Sequence, residues 1–155
     1  MATLEPELLD APEKTLVALS REFTFDTRSE IPAMWHDFWG RNWQFDGDEE
    51  PAAFGASYNV QPNGQFDYAI GRHITPTPDS LPEGACTVTL SGGRYAVFRN
   101  QGPVSELPGY FDAIFSQWLP SSGERQREGA VFERYPYSDD ASPENMAYEI
   151  WVPIA

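Results

Sequence analysis

The chain has one cysteine, Cys86, two histidines, His36 and His73, and ten lysines and arginines against 24 aspartates and glutamates in 155 residues. Each scarcity closes a class of function. A lone cysteine cannot build an internal disulfide framework. The two histidines fall in different predicted elements, and no Cys, His or Asp spacing supports coordination, so no metal site is expected. The formal charge of −14 repels a phosphate backbone, and the basic residues form no stripe that would overcome it. Direct nucleic-acid binding is therefore not expected. No apolar run approaches the ~20 residues of a membrane span, and the N-terminus lacks the basic-then-apolar pattern of a signal peptide. The expectation is a cytoplasmic protein with no membrane association. There is neither a G-x-S-x-G elbow nor a phosphate-binding loop, and no cofactor is expected.

What is present describes a globular core: apolar residues make up 41% of the chain and aromatics 14%. A chain of this length buries roughly two-thirds of its unfolded surface in one domain. Residues 1–14, rich in acidic side chains, read as a flexible lead-in, with a single domain from 15 to 155. The negative field would concentrate cationic small molecules near the surface, although acidity alone also serves solubility.

An internal repeat organises that domain. Ser29-Glu30-Ile31-Pro32 recurs as Ser105-Glu106-Leu107-Pro108, and a helical apolar pattern follows each time. Both tetrapeptides read as helix starts, with serine as N-cap, an acidic residue on the macrodipole, and proline where no N–H is needed. The first helix carries Ile31, Met34, Trp35 and Phe38 on one face, extended by Trp39 and Trp43. The second carries Leu107, Tyr110, Phe111, Ile114, Phe115 and Trp118, with Pro120 as its stop. The plain reading of both stripes is core packing against a sheet. A strand precedes each helix (residues 15–25 and 86–100). A hairpin follows each: 54–61 with 65–74 across Pro62-Asn63-Gly64, and 131–137 with 146–154. The fold class is thus α+β: two β-α-β-β halves, about 15–74 and 86–154, related by a pseudo-twofold, with an antiparallel sheet and a cleft between the halves.

The last strands align as Tyr68-Ala69-Ile70-Gly71 on Tyr148-Glu149-Ile150-Trp151. Alternation puts Tyr148, Ile150, Val152 and Ile154 on one face and Glu149 and Trp151 on the other. The core face is symmetric between the halves, whereas the second face has a carboxylate and an indole in one half and small residues in the other. A carboxylate in apolar surroundings needs a partner, and a cation on an aromatic face gains ~0.5–2 kcal/mol. Glu149 with Trp151 therefore suits an organic cation; an exposed Glu on a wet sheet face is the alternative. An arginine pairing with Glu149 inside the protein would remove that site.

Residues 91–98 (SGGRYAVF), Gly102-Pro103, Gln117-Trp118-Leu119-Pro120-Ser121-Ser122, Phe132-Glu133-Arg134-Tyr135-Pro136 and the terminal strand together resemble the GyrI-like effector-binding family, also found as a domain of AraC-type and multidrug-responsive regulators. Glu30-Ile31-Pro32-Ala33-Met34-Trp35 most resembles its integron-associated branch, and the likeness runs from about Thr15 to Ile154. The resemblance implies a bacterial protein of the transcription-regulation class, with a last-strand glutamate, here Glu149, meeting lipophilic cations. Only some 14 residues precede the first strand, too few for a DNA-binding helix-turn-helix. The expected function is therefore a stand-alone binder of amphipathic organic cations. Glu149 would be the counter-charge and Trp151 a stacking surface; Trp118, Tyr110, Tyr68, Trp35 and Trp39 are further lining candidates. Two alternatives stay open. One is a hydrolase of electrophilic small molecules using the same glutamate as base. The other is a protein-interaction module, gyrase-inhibitor-like or homodimeric.

Overall fold

A computed structural model describes residues 5–24, 26–139, 142 and 144–155. Eight strands form one antiparallel sheet: β1 (Glu7–Ala11), β2 (Lys14–Phe23), β3 (Asp48–Tyr58), β4 (Phe66–Thr75), β5 (Cys86–Leu90), β6 (Gly93–Gly102), β7 (Val131–Pro136) and β8 (Met146–Pro153). Their spatial order is β1-β6-β8-β7-β3-β4-β2-β5, and the sheet curls into a half-barrel. Helix α1 (Ile31–Gly40) lies in the first half. In the second half α2 (Leu107–Ala113) continues through a π-helical turn (Ile114–Trp118) into α3 (Leu119–Ser122).

The order carries the predicted duplication. From the centre outward it reads β3-β4-β2 on one side and β7-β8-β6 on the other, each half a β-α-β-β unit. The edges are exchanged: β5, just before the second half in sequence, pairs with β2, and β1, before the first half, pairs with β6. Residues 7–11 are therefore not a flexible lead-in. The outer edge of β6 offers unpaired backbone groups that β1 satisfies, and Glu7 pairs with Arg99 at 2.5 Å. Residues 1–4 of the expected lead-in lie outside the described residues.

Three further expectations are corrected. The single strand over 86–100 is two, β5 and β6, separated at Ser91-Gly92, where a Cβ on Gly92 would stand 2.9 Å from the Glu13 backbone nitrogen. Ser29 and Ser105 do not cap, because each lies within a short 3-10 turn (Arg28–Glu30, Val104–Glu106) that leads into its helix; Pro32 and Pro108 sit in the first helical turn as expected. Pro120 does not stop its helix. The wide π-helical turn before it accommodates a residue without an N–H, and the helix ends at Gly123, whose φ of 78° suits a left-handed cap.

Both faces of the sheet are buried. Val17, Leu19, Tyr68, Ile70 and Ile74 pack against Met34 and Phe38 of α1. Ala96, Phe98, Tyr148, Ile150 and Val152 pack against Tyr110 and Ile114 in the second half. Inside the curl, Leu16, Phe54, Tyr95, Val97 and Phe132 fill the other face. Helix α1 thus covers β2 and β4, and the second-half helix covers β6, β8 and Val131 of β7.

Candidate functional site

Val131 and Tyr135 join the core cluster of the second half, so Glu133, between them at a spacing of two, points to the same helix-bearing side. It is 7% exposed, and it is the one charged residue in the core among the described residues. The Tyr68 hydroxyl donates to Glu133 Oε1 at 3.0 Å and the Tyr135 hydroxyl at 3.3 Å. Trp35 of α1 donates its Nε1–H to the Tyr68 hydroxyl at 3.3 Å and sets its ring edge-on to Tyr135, centroids 5.2 Å apart. Among the described residues no lysine, arginine or histidine forms an ion pair with Glu133. Burial raises its carboxyl to about 7, and the tyrosine hydrogen bonds only partly offset that rise. Burial and the neighbouring Glu133 charge push both tyrosines well above their usual value, so they remain hydrogen-bond donors.

Gly55 makes this arrangement possible. It is the cross-strand partner of Glu133, and a Cβ built there would stand 2.1 Å from the Tyr68 hydroxyl and 3.2 Å from Glu133 Oε1. Only a residue without a side chain lets Tyr68 reach over β3 from β4 to the carboxylate.

Glu149 is placed elsewhere. Its neighbours Tyr148 and Ile150 pack under α2, so Glu149 points to the inside of the curl. There it accepts from Arg99 Nε at 3.2 Å and from Trp151 Nε1 at 2.9 Å, with Arg134 Nη1 at 3.6 Å. Glu149 thus has the internal arginine partners whose presence counts against a cation site there. The pairs belong to a string of charges spanning the sheet: Lys14, Glu50, Arg134, Glu149, Arg99 and Glu7, joined by His73, whose Nδ1 lies 3.1 Å from Glu50 Oε1. Burial alone would raise Glu50, but Lys14 and Arg134 outweigh it and bring its carboxyl down to about 2.

The other sequence candidates divide by position. Tyr68 and Trp35 belong to the Glu133 site. Trp151 stacks on Phe132 at 5.3 Å and 15°, inside the curl. Trp118 packs edge-on to Phe98 at 5.0 Å and Tyr110 edge-on to Tyr148 at 6.1 Å, so both turn toward the second-half core, Tyr110 buried and Trp118 partly so. Trp39 is half-exposed and lines a cavity with Tyr137. Sequence reasoning missed Glu133, Tyr135 and Gly55. The signals were a carboxylate inside the apolar strand around Phe132-Glu133-Arg134-Tyr135, and a glycine inside the strand Ala52-Ala53-Phe54-Gly55-Ala56. Among the described residues no cluster of three or more His, Cys, Asp or Glu could hold a metal, and no helix is long and apolar enough to cross a membrane.

Comparison with known proteins identifies the family. The model of the GyrI-like small molecule binding domain matches residues 4–155, and the chain belongs to that family. The transcriptional regulator BrlR of Pseudomonas aeruginosa is 29% identical over 129 residues, 80% of this chain and 46% of that protein. The probable transcriptional regulator YgiV of Escherichia coli K12 is 31% identical over 92 residues, 59% of this chain and 56% of YgiV. The chain thus spans about half the length of these curated relatives. Among solved structures, SAV2435 bound to tetraphenylphosphonium superposes with a TM-score of 0.75 at 19% identity, covering 98% of this chain and 94% of that one. An integron cassette protein of Vibrio cholerae gives 0.70 at 15% identity, covering 98% and 97%. At those identities the likeness is one of fold.

Proposed function

We propose that this chain binds amphipathic organic cations between its two halves, with Glu133 as the counter-charge and Trp35, Tyr68 and Tyr135 as the aromatic walls. The observation that carries this reading is a buried carboxyl with hydrogen-bond donors on it and no ion pair among the described residues. Such a group is held near half-protonated at neutral pH, at a standing cost that an incoming cation relieves. A lipophilic cation with no N–H to desolvate, its charge delocalised or shielded by carbon, fits better than a primary ammonium, because little hydration is lost on entering a site walled by rings. The tetraphenylphosphonium bound to SAV2435 is a ligand of this chemical kind.

The test is a titration with tetraphenylphosphonium at pH 8, where Glu133 is ionised. Glu133→Gln keeps the shape and an acceptor for Tyr68 but removes the charge. Loss of a charged partner in a dry site costs ~1.5–3 kcal/mol, so affinity falls at least about tenfold. Equal affinity in wild type and Glu133→Gln would overturn the reading.

A second reading has one observation in its favour. A carboxyl titrating at about 7 is also tuned for general-base work at neutral pH, and the two tyrosines could donate to a developing oxyanion. Turnover of an electrophilic substrate that vanishes in Glu133→Gln would favour hydrolysis over binding alone.

A further inference from the structure

Among the described residues Trp39 and Tyr137 are two of the few exposed large hydrophobic side chains, at 49% and 46%, yet their rings lie against each other at 6.3 Å. With Phe38 and Trp43 they wall a cavity of about 270 Å³. Its polar members are already satisfied by one another. Arg72 forks onto Glu49 with Nε–Oε2 at 2.9 Å and Nη2–Oε1 at 2.5 Å, and the Tyr137 hydroxyl donates to Glu49 Oε2 at 2.7 Å. Arg72 Nη1 donates to the Trp43 carbonyl at 2.7 Å. The floor therefore asks for no charged group, while the walls offer ring faces to an apolar one.

The position of this cavity follows from two periodicities. Trp35 and Trp39 are one helical turn apart on α1, and Glu133, Tyr135 and Tyr137 follow at steps of two along β7 and its extension. Trp35 meets Tyr135, and Trp39 meets Tyr137. The helix and the strand thus carry two aromatic pairs in sequence, leading from the surface to the buried carboxylate. Four residues of strand separate Glu133 from Tyr137, about 13 Å.

Building on the cation-binding reading above, we infer that the Trp39–Tyr137 cavity is a second subsite of the same ligand cleft. It receives an aromatic or flat apolar group that trails about 13 Å behind the cationic centre, past the Trp35–Tyr135 pair. Its volume lies just below the ~300–1,000 Å³ of pockets that hold whole drug-sized molecules, so it takes one ring system and not a complete ligand. The preferred ligand class is then an elongated cation with charge at one end and an aromatic group at the other.

Two probes test this. One is the compact cation phenyltrimethylammonium. The other is a trimethylammonium joined by an alkyl chain to a naphthyl ring, with nitrogen and ring about 13 Å apart. Each is titrated into wild type, Glu133→Gln and Trp39→Ala, the last an exposed helical position where alanine preserves the helix. The expected result is that the extended probe binds wild type at least fivefold tighter than the compact one. Trp39→Ala removes that advantage and leaves the compact probe unchanged, and Glu133→Gln weakens both. If Trp39→Ala binds the extended probe as wild type does while Glu133→Gln weakens both, the second subsite is overturned and the cation site stands. If Trp39→Ala weakens the extended probe while Glu133→Gln affects neither, the cavity acts alone and the spanning arrangement is overturned. If neither substitution affects either probe, both readings fall.

Discussion

Gly55 and Glu133 face each other across the central β3–β7 pair, and they are also equivalent positions of the duplication. Gly55 pairs with Ile70 on its own half and Glu133 with Ile150 on the other, and Ile70 aligns with Ile150 when Tyr68 is set on Tyr148. The pseudo-twofold thus passes between a residue with no side chain and one with a carboxylate. The space above Gly55 is taken by the Tyr68 hydroxyl, which donates to Glu133. One half supplies the charge, and the other supplies room and a hydrogen bond.

Gly55→Ala should collide with Tyr68, because the new Cβ would stand 2.1 Å from its hydroxyl and 2.9 Å from the ring carbon bearing it. The expected loss is about 1–3 kcal/mol of stability, read by urea denaturation, together with weaker tetraphenylphosphonium binding. Adding Tyr68→Phe removes the closest contact, so the double variant should recover part of the stability. Strict additivity of the two single losses would show that the residues do not collide.

Glu133 should make stability depend on pH with a defined sign. Its folded pKa is raised from 4.5 to about 7, so the native state holds a proton that the unfolded state has released. The contribution is therefore complete below about pH 4.5 and declines as pH rises to about 7. The difference in unfolding free energy between wild type and Glu133→Gln should fall from pH 5 to pH 8. A constant difference would place the Glu133 pKa near that of an ordinary carboxylate.

Glu50 should behave in the opposite way. Lys14 and Arg134 hold its carboxyl at about 2 despite burial, so its stabilisation is present above about pH 4.5 and is lost as pH falls toward 2. Glu50→Gln leaves Lys14 and Arg134 without their carboxylate and should cost about 1–3 kcal/mol at pH 7. Cation affinity should not change, since the charge string lies on the other face of the sheet from Glu133.

Glu149→Gln separates the two glutamates. Glu149 is engaged by Arg99, Arg134 and Trp151 inside the curl. Its substitution should lower the denaturation midpoint while leaving tetraphenylphosphonium affinity within about twofold of wild type. A loss comparable to that in Glu133→Gln would return the site to the last strand.

The duplication was legible because it is written in local signals: two Ser-Glu-apolar-Pro helix entries, two amphipathic stripes and two hairpins, all of which depend on residues near one another in the chain. An asymmetry between the halves was also legible, in the last strands at Glu149 and Trp151; the buried carboxylate on which the proposed site rests, without an ion pair among the described residues, lies instead on β7. Alternation puts Glu149 opposite Tyr148 and Ile150 correctly; it does not say that the curled sheet buries that face as well, or that Arg99 and Arg134 from neighbouring strands converge there. Glu133 sits in a strand as apolar as the one around Glu149. What distinguishes it is the cross-strand neighbour Gly55, and that relation depends on β3 pairing with β7 between the halves, which no local pattern encodes. The edge exchange of β1 and β5 was hidden for the same reason, because each strand pairs in the half to which it is not adjacent in sequence.

Whether Glu133 meets a ligand's positive charge can be read by counting protons. Calorimetric titration with tetraphenylphosphonium at pH 6, in two buffers of different ionisation enthalpy, reads the protons released on binding. With a carboxyl titrating at about 7, a cation held by Glu133 releases nearly one proton per ligand at pH 6, little at pH 8.5, and none at either pH in Glu133→Gln. Binding to wild type with no proton release at pH 6 would contradict that role for Glu133.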